Sequence, residues 1–133
     1  MSRSVIVVGG GASGLSAAIA AADKGAYVTL LERLPRVGKK ILLTGNGRCN
    51  LGNRDTAFSH YHGTLPQAAR ILSGFDSVRF FRQFGLLTRT DAEGRIYPMS
   101  GTAASVLDAL RFAAAQRGVR MLCEKQVTAV SPK

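Results

Sequence analysis

The sequence predicts an α/β fold built on a parallel sheet with flanking helices, and three observations carry that prediction. An apolar, mostly β-branched run, Val5-Ile6-Val7-Val8, leads straight into Gly9-Gly10-Gly11-Ala12-Ser13-Gly14. A long Ala-rich stretch of helical character follows and stops at Gly25. A second apolar run then closes on an acid, Glu32. Strand, tight turn, helix and strand make a βαβ unit, and its right-handed crossover makes the two strands parallel.

Each glycine of the turn has its own physical task. Gly9 permits the sharp turn off the strand, Gly11 lets a pyrophosphate approach the backbone, and Gly14 lets the helix lie close to the sheet. The N–H groups of Ala12 and Ser13 open the helix and face the phosphates, with about half a positive charge from the helix dipole behind them. Glu32 lies 18 residues past Gly14, near the ~20 at which an acid meets ribose hydroxyls. The turn is therefore read as Rossmann-like and dinucleotide-binding. Ala18, one helical turn beyond Gly14, keeps the approach to the sheet close. A nucleotide-binding half this near the N-terminus is similar to the flavoprotein arrangement, in which the first βαβ unit holds FAD. Glu32 would repel a ribose 2′-phosphate, which disfavours NADP here. Arg33 either softens that repulsion or is a plain solvated charge.

Composition narrows the class. One domain is the expectation for 133 residues, and a hydrophobic fraction of 46% suits a globular α/β chain. No apolar run approaches the ~18 residues of a membrane span, and residues 1–8 lack the pattern of a signal peptide. No membrane partner and a cytoplasmic location are the expectations. Cys49 and Cys123 form no metal spacing and no disulfide framework, so reduced thiols and no metal are expected. The net charge is +10. Its basic residues are scattered and no aromatic ladder runs between them, so nucleic acid is not the expected partner. Phosphate binding near residues 33–48, or a further length of chain that balances the charge, accounts for it better.

In chain order, Ser4–Val8 is the first strand, apolar throughout and expected to be buried on both faces. Ser13–Lys24 is the helix, with Gly25 as its stop. Ala26–Leu31 is the second strand. Residues 33–53 form a long connection rich in Gly, Asn and basic side chains, with too much punctuation to be disordered. Gly45-Asn46-Gly47 offers a nest of N–H donors for an anion or a carbonyl oxygen. His60 and His62 make a pair without an evident third ligand. Leu65–Ser73 and Asp76–Phe84 read as helices, the second capped by Asp76 and ended by Gly85. Val78, Phe81 and Phe84 form an aromatic and apolar stripe that belongs in a core. Leu86–Thr90 and Arg95–Pro98 form a hairpin around Asp91-Ala92-Glu93-Gly94. Tyr97 is expected to serve packing. A helix from about Thr102 to Gln116 ends at Gly118. Val119–Cys123 is the third parallel strand, giving the sheet order 3-2-1, and Gln126–Val130 begins another strand.

The run GKKILLTGNGRCNLGN, residues 38–53, resembles the hallmark of a bacterial flavoprotein family. That family is described as HI0933-like, or BaiN-like and aminoacetone-oxidase-like, NAD(P)/FAD-dependent oxidoreductases. The family pattern is matched at Gly38, Lys40, Thr44, Gly45, Gly47, Arg48, Cys49, Asn50 and Asn53. Gly52 departs from it, because threonine is usual there. GRIYPMSGTAASVLDAL, residues 94–110, resembles a second family segment. The resemblance covers essentially the whole chain.

The resemblance implies an FAD/NAD(P)-binding domain of glutathione-reductase type, incomplete because members of the family are much longer. Residues 1–133 would be its N-terminal part: the βαβ unit at 4–32, a flavin and phosphate loop at 33–57, a helical and hairpin insert at 58–118, and the third strand with the start of the next at 119–133. FAD is the implied cofactor, with NAD(P)H as a possible electron donor. Arg33, Gly38, Lys39, Lys40, Thr44, Gly45, Gly47 and Arg48 would line its phosphate or flavin side. Arg48 is the candidate cation beside the flavin N1/C2 carbonyl. Val127 would meet adenine through its main chain. No catalytic residue is identified, and Cys49 lacks a Cys-x-x-Cys partner. Two alternatives remain open: an NAD-binding dehydrogenase module, and a truncated, non-catalytic nucleotide-binding or interaction piece. An incomplete domain exposes apolar surface, so self-association or a missing C-terminal portion is expected to cover it.

Overall fold

The first strand, β1 (Ser4–Val8), lies parallel to β2 (Tyr27–Leu31), in the register Val5 to Val28 and Val7 to Leu30. The computed structural model describes residues 3–65 and 67–132. Helix α1 (Ala12–Asp23) makes the crossover. It is rich in alanine, the strongest helix former, and Gly25 at φ +79° ends it.

Residues 33–51 contain no strand; Ile41–Gly47 winds into 3-10 turns broken at Thr44, Gly45 and Asn46. A second, antiparallel sheet follows, in the order β3 (Gly52–Asn53), β5 (Arg95–Pro98), β4 (Thr88–Thr90). Two short helices lie between its strands, α2 (Ala68–Ser73) and α3 (Ser77–Arg82). The expected helix over 65–73 begins later than predicted, and Pro66 lies outside the described residues. Asp76 caps α3 as expected, its Oδ1 accepting the Arg79 N–H at 3.0 Å. Gly94 takes φ +79° in the hairpin. Helix α4 (Ala103–Gln116) leads to β6 (Arg120–Leu122), which pairs in parallel with β2. The main sheet order β1-β2-β6 is the predicted 3-2-1.

The core lies between this sheet and the pair α1 and α4. Leu15, Ala18 and Ile19 of α1 meet Leu30 of β2 and Val106, Leu110 and Ala114 of α4, all essentially sealed from solvent. Phe80 and Phe81 of α3, and Phe84 just beyond it, pack against this cluster. Phe80 meets Phe84 edge-on, with centroids 5.0 Å apart. Val78 does not join them; it lines a cleft with Leu51, Phe75 and Ile96.

Two expectations about strands fail. The first strand is not buried on both faces. Val5 and Val7 turn toward the core, but Ile6 is 67% and Val8 60% exposed. Both helices sit on one face of the sheet, and among the described residues nothing covers the other. Gln126–Val130 is not a strand either. A strand needs a neighbour to satisfy its backbone, and after β6 the chain turns along the end of β2 instead. There the N–H of Glu124 donates to the Leu34 carbonyl and that of Lys125 to the Glu32 carbonyl.

Candidate functional site

The turn between β1 and α1 uses its glycines for different reasons. Gly9 has φ +96°, and its N–H donates to the Leu31 carbonyl at 2.8 Å. A Cβ on Gly14 would run into the Gly9 carbonyl oxygen, so the helix lies against the turn at a separation only glycine allows. A Cβ on Gly11 would meet nothing within 4 Å. Gly11 is the extended N-cap of α1, and no side chain caps the helix. The N–H groups of Ala12 and Ser13 therefore end without an intrahelical partner, on two exposed residues.

Glu32 stands opposite this opening. It is only 9% exposed. Its Oε2 accepts the Gly10 N–H at 2.7 Å and its Oε1 the Leu34 N–H at 2.9 Å. A carboxylate has about four acceptor positions, so about two remain, one on each oxygen. The Leu34 N–H holds the Glu32 carboxyl below its ordinary value of 4.5; burial works against it, and the Gly10 N–H and the Arg33 charge add to the lowering. The group is an anion at neutral pH.

Gly10 was not among the expected site residues, yet it joins the parts. Its carbonyl accepts the Gly38 N–H at 2.7 Å. A Cβ there would lie 2.5 Å from Val37 Cγ1 and 3.1 Å from Glu32 Oε2. The signal was the uninterrupted Gly9-Gly10-Gly11; the motif spacing accounts for the outer two and leaves the middle one unexplained.

The connection from 33 to 53 divides. Gly38 belongs with the turn, tied to Gly10 and packed so closely on Leu107 that a Cβ would collide with that side chain. Arg33, Lys39 and Lys40 are exposed, and none takes part in an ion pair among the described residues. Thr44 donates its hydroxyl to the Ile41 carbonyl at 2.8 Å. Gly45, Asn46 and Gly47 have φ of +55°, +54° and +79°. The turn is left-handed through these residues, and φ then alternates in sign through Arg48 at −101° and Cys49 at +57°. It is closed by the Arg48 N–H on Gly45 and the Cys49 N–H on Thr44. The backbone of Asn50 passes so near that a Cβ on Gly45 would be 2.7 Å from its nitrogen, whereas Gly47 faces open space.

Arg48 lies over the ring of Tyr97, 4.6 Å from its centroid. This contact joins the two sequence motifs, which are about 50 residues apart. Tyr97 is 4% exposed and serves packing, as expected. A side chain at position 52 would meet Ser77 Oγ at 2.9 Å, so the Ser77 hydroxyl stands beside the spot where a threonine is usual. Val127 is half-buried, two residues beyond the Lys125 N–H that donates to the Glu32 carbonyl. No strand carries it. Among the described residues no three His, Cys, Asp or Glu gather as a metal site, and His60 pairs with Asp55 at 2.7 Å.

The opening fits the adenosine diphosphate half of FAD. Open space at Gly11 admits a pyrophosphate, two unpartnered amides face it, and the remaining acceptor positions of Glu32 suit two ribose hydroxyls.

Comparison with known proteins agrees with this geometry. Residues 3–133 match the HI0933-like protein Rossmann domain. The chain is 45% identical over 130 residues to a 3-dehydro-bile acid delta(4,6)-reductase of Clostridium scindens, a match covering 93% of this chain and 32% of that protein. It is 26% identical over 129 residues to a ribosomal RNA dihydrouridine synthase of Haemophilus influenzae, covering 94% of this chain and 32% of that one. The chain thus spans about a third of the length of these curated relatives. Among solved structures, a 3-ketosteroid-delta4-(5alpha)-dehydrogenase of Rhodococcus jostii superposes with a TM-score of 0.60 at 20% identity, over 92% of this chain and 38% of that one, a likeness of fold. Among the described residues no helix is long and apolar enough to cross a membrane. The fold is of Rossmann type, and the chain belongs to the HI0933-like family.

Proposed function

We propose that this chain is the FAD-binding portion of a flavin-dependent oxidoreductase acting on a small organic substrate. The observation that carries the proposal is the Glu32 carboxylate, fastened to the Gly10 N–H beside the open Gly11 and the free start of α1. The reductase relative of C. scindens supports it. Gly9, Gly11 and Gly14 shape the pocket for the pyrophosphate, the Ala12 and Ser13 amides donate to it, and Glu32 accepts from the ribose. Arg33, Lys39 and Lys40 balance phosphate charge. Gly38 and Thr44 hold the connection in shape, while Gly45, Gly47 and Arg48 border the flavin side and the backbone at Val127 borders the adenine. When bound, the flavin supplies the hydride or electron transfer. NAD(P)H is the proposed electron donor, and the unpaired thiols fit a cytoplasmic location.

The open face of the main sheet leads us to propose self-association, or cover by a further length of chain. The visible absorption spectrum of the purified chain tests the main proposal. Flavin bands that stay with the protein through gel filtration support it. A colourless chain stabilised by NAD and not by FAD favours a dehydrogenase module, and no response to either leaves an interaction piece.

A second reading makes RNA the substrate. It is favoured by the relative that acts, by its name, on ribosomal RNA. RNA binding that weakens steeply with salt supports this reading, and its absence removes it.

A further inference from the structure

The need for glycine at position 10 is set by a distant side chain. The φ of Gly10 is not positive, so the backbone there admits other residues. A Cβ would nevertheless lie 2.5 Å from Cγ1 and 2.9 Å from Cβ of Val37, and 3.1 Å from Glu32 Oε2. Val37 is buried, and its β-branched side chain is stiff at χ1, so it has little room to give. The bare Gly10 and the bulk of Val37 are matched in size.

The match lies where the aim of the Glu32 carboxylate is decided. The Glu32 backbone is pinned on both sides: its N–H donates to the Leu122 carbonyl and its carbonyl accepts the Lys125 N–H, each at 2.9 Å. The Gly10 N–H then orients Oε2, and the Leu34 N–H orients Oε1. Gly10 is itself held by Gly38, whose N–H donates to the Gly10 carbonyl at 2.7 Å. Residues 34–38 thus grip the carboxylate twice, directly through Leu34 and indirectly through Gly10. Val37 sets the spacing of the indirect grip.

We infer that Val37 and Gly10 are a size-matched pair of positioning residues that aims the free acceptor positions of Glu32, and that the pair sets how strongly the site tells a ribose from a deoxyribose. The inference rests on the nucleotide reading proposed above. The two residues act through the carboxylate, so moving bulk from position 37 to position 10 preserves the aim, while a methyl group added at 10 alone spoils it.

Calorimetric titration with ADP and with 2′-deoxy-ADP tests the inference, because the ratio of the two affinities reads the grip on the ribose and not the stability of the fold. The parent should prefer ADP by about tenfold or more, the worth of a hydrogen bond to a charged group. Gly10→Ala should bring the two ligands within about twofold of each other. Val37→Ala, which loosens the pair without a clash, should reduce the preference about threefold. Gly10→Ala combined with Val37→Ala should restore most of it. A second readout needs no ligand: the titration of the Glu32 carboxyl, followed by carbon NMR. The Leu34 N–H is the larger cause of its lowered position, and the Gly10 N–H adds to it. Gly10→Ala should therefore move the titration up, and the double variant should bring it back down. A parent that binds ADP and 2′-deoxy-ADP alike would sink the nucleotide reading, and with it the ribose part of the inference, whereas the carboxyl titration judges the pair by itself. A folded Gly10→Ala chain that keeps the full preference for ADP would overturn the inference. So would an unmoved Glu32 titration in that chain. Should Gly10→Ala fail to fold, Val37→Ala and the double variant decide: a double variant with less preference for ADP than Val37→Ala alone would overturn it as well.

Discussion

The Oε2 atom of Glu32 accepts the N–H of Gly10 across 2.7 Å. The acid that ends the second strand is thereby fastened to the turn that ends the first. Its other oxygen holds the Leu34 N–H, so the side chain is fixed before any ligand arrives. A fixed acceptor loses little freedom on binding, which is the physical meaning of preorganisation. The same bonds make Glu32 a structural residue as well as a binding one, and the two roles can be separated by experiment.

The first prediction concerns acid. The folded-state carboxyl of Glu32 is held below 4.5 chiefly by the Leu34 N–H. Its stabilising contribution is complete above that ordinary value and disappears as pH falls through the lower, folded one. The melting temperature of the chain should therefore drop between about pH 5 and about pH 3 more steeply than that of Glu32→Gln. Parallel curves for the two proteins would deny the linkage.

The second separates two glycines of one motif. Gly14→Ala places a methyl group into the Gly9 carbonyl and should destabilise the chain by about 3 kcal/mol in denaturant unfolding. Gly11→Ala meets open space at φ −78°, so its stability should stay within about 0.5 kcal/mol of the parent. Its methyl group does occupy the path of the pyrophosphate, and FAD affinity should fall by at least about tenfold.

The third concerns the uncovered sheet face. Ile6 and Val8 are exposed next to Tyr27, itself 72% exposed. Ile6→Lys with Val8→Thr should shift the chain toward monomer in sedimentation at concentrations where the parent associates. Loss of association without change in the melting temperature would place the contact on this face.

The fourth concerns the link between the two motifs. Arg48 over Tyr97 should show a coupling of about 0.5–1 kcal/mol in a double-mutant cycle of Arg48→Met and Tyr97→Leu. Additive effects would mean that the stacking holds nothing.

Much of this architecture was legible because its cause is local. The turn glycines, Gly25, Gly94 and the Asp76 cap each answer a backbone need that neighbouring residues announce. The parallel order followed from the crossover rule alone. The failures come from contacts distant in sequence. Ile6 and Val8 read as buried because nothing in their own run reveals which face of the sheet is covered. Val127 read as a strand residue because β propensity does not say whether a partner strand is present. Gly10 is hidden for a similar reason: its need for glycine comes from Val37, 27 positions away.

The most direct measurement is an FAD titration of the chain and of Glu32→Ala, followed by flavin fluorescence, with folding of both verified by circular dichroism. Saturable binding of one FAD per chain, weakened at least about tenfold by Glu32→Ala, is the predicted result. Equal affinity of the two folded proteins for FAD would contradict the account, because the carboxylate would then have no part in holding the nucleotide.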